Sequence, residues 1–224
     1  MVRPLGELER LIGYSFKDHG LLKAALTHAS AIGEGQNYER LEFLGDRVLA
    51  LVIADLLFQK FPKEPEGDLA KRLASLVQGS TLALLSSRIT LGDFIVFSVA
   101  ERDSGGAQND HILADVFEAL IGALYLDGGL EPCRILIEKH WQDVFSTMKA
   151  PPLHPKTEVQ ELLQKQGLPV PIYEIVGQSG PDHAPVFDVR MRVKGYEPII
   201  AQGRSRSEAE KVAALEFLKI VKGD

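Results

Sequence analysis

Apolar residues recur every three to four positions through most of the first 150 residues, which is the spacing of helices that bury a face. The clearest segment runs over residues 37–58, where apolar side chains cover most of the helix circumference. A second such segment runs over residues 110–129. The pattern predicts helices at 5–13, 18–30, 37–58, 110–129 and 130–148. We therefore expect an all-α first domain, with the two most apolar helices in its core.

The pattern changes after a proline-rich stretch that holds Pro151, Pro152 and Pro155, a composition typical of linkers. A short helix is predicted at 157–166 and a closing helix at 207–221. Between them, three segments alternate apolar with polar residues, the period of a sheet with one covered face. The sequence predicts a helical domain over 1–148, a linker over 149–156, and a small α+β domain with the order αβββα over 157–224.

Composition narrows the class of protein without deciding its partner. With 224 residues and 45% hydrophobic content, the chain can bury one large or two modest cores. No stretch approaches the roughly 20 apolar residues of a membrane-spanning helix, and the start lacks a signal-peptide layout, so we expect a cytoplasmic protein without a membrane partner. Cys133 is the only cysteine, which excludes an intrachain disulfide and a thiolate-rich zinc site.

The net charge of −6 argues at first against a polyanionic partner. The acidity, however, belongs to residues 1–150, which hold 15 Lys and Arg against 21 Asp and Glu. Residues 151–224 hold 10 of each. Because part of the first domain's acidity would be offset by a bound cation, the net charge does not exclude nucleic acid.

Two pairs of carboxylates interrupt the most apolar helices: Glu42 with Asp46, and Asp115 with Glu118. Acids at these spacings share one face of a helix, where they repel each other and are costly to desolvate without a compensating cation. If the two helices pack together, four hard oxygen ligands converge, and that set suits Mg²⁺ or Mn²⁺. The alternative is that arginines neutralise each pair separately. The candidates for that role are Arg40, Arg47 and Arg72.

The runs YERLEFLGD at 38–46 and LADVFEALIGALYLD at 113–127 resemble the nuclease domain of the bacterial ribonuclease III family. The resemblance implies a homodimeric endoribonuclease that cuts double-stranded RNA with Mg²⁺, for which Mn²⁺ can substitute. It implies 5′-phosphate and 3′-hydroxyl products, and processing of ribosomal and other structured precursor RNA. The four acids would be metal ligands, with Asp46 and Glu118 positioning and deprotonating the attacking water. Glu39 would support the site or the dimer contact, and Glu66 would lie near the cleavage centre.

The αβββα segment is similar to the double-stranded RNA-binding domain, which recognises A-form RNA mainly by shape. The resemblance implies minor-groove contacts from the first helix and the first hairpin, and phosphate contacts at the start of the last helix. The residues that match are Thr157, Gln160, Glu161, Gln164, His183, Arg204, Ser205, Arg206 and Lys211. The chain departs from the family where Ser207 replaces a usual lysine, which removes one positive charge, and where Ala100 replaces a usual glycine.

Two other functions are compatible with the sequence. An RNA-binding protein could keep the nuclease fold as a dimeric scaffold without cutting, although the presence of all four acids argues against this. A helical metal hydrolase could act on nucleotides while its tail recruits another partner. The GPDH and GRSR stretches within the αβββα tail argue against the second alternative.

Overall fold

The computed structural model describes residues 2–31, 37–148, 150–152, 155–181 and 185–222. The chain divides into two compact units, Met1–Pro152 and Leu153–Asp224. None of the helices within the described ranges is long and apolar enough to cross a membrane.

The first unit is helical, as the sequence predicts. Its helices are α1 Leu5–Ile12, α2 His19–Ala25, α3 Glu39–Lys60, α4 Glu66–Leu76, α5 Gly79–Arg88, α6 Val99–Asp103, α7 Asp110–Gly128 and α8 Leu130–Thr147. The helix predicted over 18–30 ends at Ala25 instead. It ends early because Thr27 forms an isolated β-bridge with Val96, and the His28 N–H donates to the Val96 carbonyl at 3.0 Å.

Helix α7 is the core of this unit. Nearly every residue from Ile112 to Leu124 is buried, and α2, α3, α5 and α8 all pack against it. The crossing with α3 is the closest, because glycines on both helices let the backbones touch. A Cβ added to Gly45 would lie 1.7 Å from the Glu118 carbonyl oxygen, and one added to Gly122 would lie 2.2 Å from that of Leu41. The two most apolar helices therefore meet at the turns that carry the acids.

The second unit has the predicted order αβββα. Its elements are α9 Pro155–Lys165, β1 Ile172–Ser179, β2 Val186–Arg192, β3 Ile199–Gly203 and α10 Arg206–Lys222. The strands form an antiparallel sheet in the order β1-β2-β3, with a bulge between Ile175 and Gly177. The inward side chains of the sheet, such as Met191 and Ala201, pack against Val159 of α9 and Phe217 of α10 in a separate core.

Candidate metal and RNA-binding site

The α3–α7 crossing brings acids from the two helices into electrostatic contact. Burial, followed by the charges of Glu42 and Asp115 and opposed by Arg47, raises the pKa of the Glu118 carboxyl to about 7. Burial, then Asp115 and Glu39, also raise the pKa of Glu42. Burial raises the pKa of Asp115, against a smaller lowering by His111 and His28. The three partly buried carboxyls are thus short of positive charge, which is the electrostatic condition of a cation site.

The fourth acid, Asp46, is turned to a different partner. Its carboxylate forms an ion pair with Arg47, the next residue of α3. Within the residues that the structure describes, no three His, Cys, Asp or Glu side chains are placed to hold one ion as they stand. The donor chemistry of the four acids nevertheless fits a hard divalent cation. Asp46 would have to leave Arg47 to join the other three.

The three arginines considered as neutralising partners have different environments. Arg47 pairs with Asp46, as the alternative reading expected for one acid. Arg72 is 1% exposed and binds Glu64 through two hydrogen bonds of 2.7 and 2.6 Å, so it does not serve the acid pairs. Arg40 lies exposed in the first turn of α3. The structure therefore does not show each acid pair neutralised by its own arginine.

The two supporting residues lie at helix starts. Glu39 is the exposed first residue of α3, and its charge contributes to the raised pKa of Glu42. Glu66 is the exposed first residue of α4, where the helix dipole favours an acid. Within the described ranges, nothing places Glu66 at the α3–α7 crossing.

Sequence reasoning missed Tyr38 and the two glycines of the crossing. Tyr38 is 6% exposed, and burial, followed by the charges of Asp115 and Glu42, raises its pKa to about 12. Its hydroxyl therefore stays a proton donor beside the acids. The isolated Gly45 and Gly122 inside apolar helices were a readable signal, because glycine there costs helix stability unless a close approach requires it.

The raised pKa of Glu118 predicts a pH-dependent stability of the metal-free protein. Between pH 4.5, the ordinary value, and about 7, the folded carboxyl keeps a proton that the unfolded one has lost, so stability falls as pH rises through this window. In the wild type we expect the free energy of unfolding to fall by an amount on the order of 1–3 kcal/mol between pH 5 and pH 8. Glu118→Gln should remove this fall. Urea unfolding in EDTA at pH 5 and pH 8 measures it. Equal pH dependence in wild type and variant would contradict the raised pKa.

In the second unit, the predicted minor-groove residues share the outer side of α9. Gln160 and Gln164 are exposed, and Thr157 and Glu161 are partly buried. Val159 and Leu163 face the core instead and are fully buried. This division leaves a polar face available to a ligand. His183, predicted for the first hairpin, lies outside the described residues.

The start of α10 differs in detail from the prediction. Arg204, Arg206 and Lys211 are exposed there, as phosphate contacts require. The Ser205 hydroxyl, however, accepts the Glu208 N–H at 3.2 Å, and the Glu208 carboxylate accepts the Arg204 N–H at 2.7 Å. The arrangement is a variant of the capping box in which the Glu208 carboxylate reaches the N–H one residue before the N-cap Ser205. Ser205 therefore caps the helix in this structure, and a carboxylate occupies the helix start where a phosphate was expected.

A buried glutamate connects the two helices of the second unit. Glu210 on α10 is 7% exposed and accepts hydrogen bonds from Lys156 of α9 and, at 2.8 Å, from Arg206 Nε. Burial raises the pKa of its carboxyl, but these two cations together hold it below the ordinary value. The carboxylate thus fixes one of the predicted phosphate-binding cations in place.

We expect Glu210→Gln to lower the free energy of unfolding of this unit by about 1–3 kcal/mol, because two charged donors lose their acceptor charge. Duplex RNA binding should weaken several-fold, since Arg206 is released. Thermal unfolding and filter binding measure the two effects. Glu216→Gln, an exposed change on the same helix, is the matched control. If both variants unfold at the same temperature and bind the duplex equally well, the hydrogen bonds of Glu210 neither stabilise this unit nor position Arg206.

Comparison with known proteins covers both units. A family profile described as Ribonuclease-III-like matches residues 18–143, and one described as Double-stranded RNA binding motif matches residues 155–221. A protein named Ribonuclease 3 from Caulobacter vibrioides is 47% identical over 223 residues, which span 97% of this chain and 96% of the relative. Another from Ehrlichia ruminantium is 46% identical over 217 residues, 95% of this chain and 96% of the relative.

Among solved structures, the chain is similar to the nuclease domain of ribonuclease III from Campylobacter jejuni, in a structure whose description concerns a region involved in dimer formation. The identity is 47% and the TM-score 0.59, with 62% of this chain and 99% of that one covered. The similarity thus extends over the helical unit that contains the four acids.

Proposed function

Since the chain belongs to the ribonuclease III family, we propose that it is an endoribonuclease that hydrolyses phosphodiester bonds in double-stranded RNA and leaves 5′-phosphate and 3′-hydroxyl ends. The enzyme depends on a divalent metal, and we propose Mg²⁺, with Mn²⁺ as a substitute. The observation that carries the proposal is the α3–α7 crossing, where, in addition to burial, Asp115 raises the pKa of Glu42 and both raise the pKa of Glu118. The same chain also has an RNA-binding fold.

Glu42, Asp46, Asp115 and Glu118 would hold the metal, which supplies an activated water and stabilises charge on the leaving oxygen. Without metal, burial and the neighbouring acids raise the pKa of Glu118 to about 7. A bound cation would lower that pKa and keep the carboxylate ionised, as a metal ligand and an acceptor of the proton of water require. Asp46 would help to orient the water once it leaves Arg47. Tyr38, whose pKa is raised to about 12, stays protonated, so its hydroxyl can donate a hydrogen bond to a ligand and does not act as a base.

The second unit would bind the duplex by its shape. The polar face of α9 would meet one minor groove, and Arg204, Arg206 and Lys211 would contact phosphates beside it. A domain that recognises the shape of A-form RNA can bind many different hairpins. We therefore propose ribosomal and other structured precursor RNAs as substrates. We further propose that 1–148 and 157–224 are the functional domains, joined by 149–156. The relatives are bacterial, and bacterial transcripts mature in the cytoplasm, where we propose that the enzyme acts.

We propose that two copies pair through the nuclease domain. The outer face of α3 carries Phe43, Leu51 and Phe58, which are 67%, 58% and 72% exposed. Large apolar side chains on one exposed helix face are typical of an interface. The similarity to the Campylobacter jejuni nuclease domain, whose description names dimer formation, supports the same arrangement.

Leu51→Asp should raise the dimer dissociation constant by roughly thirty-fold or more, the effect of about 2 kcal/mol at an interface centre. Sedimentation equilibrium measures it. The control is Leu84→Asp on α5, a leucine that is 52% exposed on a different helix. If Leu51→Asp sediments as the wild type does, the face of α3 is not the interface.

The function is tested by incubating the full chain with end-labelled duplex RNA, with Mg²⁺ or with EDTA, beside a single-stranded control of the same sequence. We expect Mg²⁺-dependent cleavage of the duplex only, with duplex binding retained in EDTA. Binding without cleavage at any Mg²⁺ concentration would support the non-cutting scaffold. Turnover of free nucleotides without duplex binding would support the nucleotide hydrolase.

A further inference from the structure

Arg47 lies at the point where the carboxylates, the exposed face of α3 and the α3–α7 crossing meet. Its guanidinium pairs with Asp46 and lies 4.9 Å from the centre of the Phe43 ring. Its charge also reaches Glu118, whose pKa it lowers against the other influences. One cation from the protein itself therefore acts on acids of both helices.

The position of Arg47 is specified by more than its neighbour in sequence. Consecutive residues of a helix point in different directions, so pairing with Asp46 requires the long side chain to bend back along α3. Phe43, four residues earlier, lies on the path of that bend and offers its ring face to the guanidinium. Two partners on successive turns thus hold the charge beside the acid cluster.

The pairing affects how the acids can bind an ion. The carboxylate of Asp46 is engaged by Arg47, and among the described residues no three acids surround one point as they stand. A guanidinium stays charged at every working pH, so the pair does not open by deprotonation. A divalent cation that uses Asp46 as a ligand must therefore displace the guanidinium.

We propose that Arg47 is an internal counter-ion that occupies the carboxylate cluster in the metal-free protein and turns away from Asp46 when a divalent cation binds. The inference rests on the proposed function, because it requires a cation at the four acids. Two consequences have opposite signs: Arg47 stabilises the metal-free fold by offsetting carboxylate repulsion, and it weakens metal binding by competing for Asp46.

The test is a titration of the full, metal-free chain with Mn²⁺. The electron paramagnetic resonance signal of free Mn²⁺ measures how much of the ion is bound. Arg47→Ala should bind Mn²⁺ about three- to tenfold more tightly than the wild type, the range of a partly exposed ion pair that no longer competes. Arg47→Lys keeps the charge and should remain near the wild type. Arg40→Ala, which removes the same charge from an exposed position of the same helix, should change the affinity less than twofold.

Thermal unfolding in EDTA supplies a second readout that does not depend on metal. Arg47→Ala should melt at a lower temperature than Arg40→Ala, because the acid cluster loses its counter-ion. Arg47→Gln, which keeps most of the side-chain volume, replaces Arg47→Ala in both measurements if the alanine variant does not fold.

The inference is overturned if Arg47→Ala and Arg47→Gln bind Mn²⁺ no more tightly than Arg40→Ala does, or if they bind it more weakly. A failure of the proposed function looks different. In that case the wild type would have no Mn²⁺ site that Glu118→Gln weakens, whatever the Arg47 variants do.

Discussion

Glu118→Gln is expected to lower the rate of duplex cleavage by roughly 10³-fold or more, while duplex binding stays within about twofold of the wild type. The change removes a carboxylate that would both hold the metal and accept a proton. It also removes charge from a partly buried position whose pKa is raised to about 7 by burial and by Glu42 and Asp115. Folding should therefore not suffer, which separates this variant from one that merely unfolds.

Single-turnover cleavage of an end-labelled duplex at saturating enzyme measures the rate, and filter binding in EDTA measures the affinity. Glu131→Gln, an exposed change on α8, is the control for the loss of one carboxylate from the same unit. If the cleavage rate of Glu118→Gln were within tenfold of that of the control, Glu118 would not be a catalytic residue. Loss of binding together with cleavage would point to a general defect instead.

Gly45→Ala is expected to have the largest effect on stability, lowering the free energy of unfolding by roughly 3–5 kcal/mol. The added Cβ would lie 1.7 Å from the Glu118 carbonyl oxygen and 2.6 Å from the carbonyl carbon. These are backbone atoms of the core helix α7, which cannot turn aside as a side chain could. The two helices must separate, and every layer of the core between them is disturbed.

Gly67→Ala is the matched control, because Gly67 is also helical but nothing lies within 4 Å of an added Cβ. That change should stabilise the protein by up to about 1 kcal/mol, as alanine is the better helix former. Urea unfolding compares the two variants. If Gly45→Ala were as well tolerated as Gly67→Ala, the backbones would not touch at the crossing, and the acids of α3 and α7 would not be held together by it.

The period of apolar residues predicted the two long helices that carry the acids. It could not predict the state of Asp46, because its pairing with Arg47 depends on a bent side chain supported by Phe43. Nor could it predict that α2 ends at Ala25, since the bridge from Thr27 to Val96 is a contact between distant residues. These details depend on tertiary structure.

Other features were present in the sequence but were interpreted differently. Ser205 followed three residues later by Glu208 has the spacing of a capping box, yet Ser205 was assigned to RNA contact through the family resemblance. In the structure its hydroxyl accepts the Glu208 N–H. Arg72 was considered a partner for the acid pairs, but it is buried with Glu64 and donates to the Met148 carbonyl at 3.1 Å. Charge alone does not tell which acid an arginine will bind.

The central claim, that acids of α3 and α7 hold the same divalent cations, is tested most directly by anomalous diffraction from crystals of the full chain grown with Mn²⁺. We expect anomalous peaks at the α3–α7 crossing within about 2.5 Å of carboxylate oxygens from both helices, with Asp46 released from Arg47. Peaks found only elsewhere, with Asp46 still paired to Arg47 and with Glu42 and Glu118 unligated, would contradict the account.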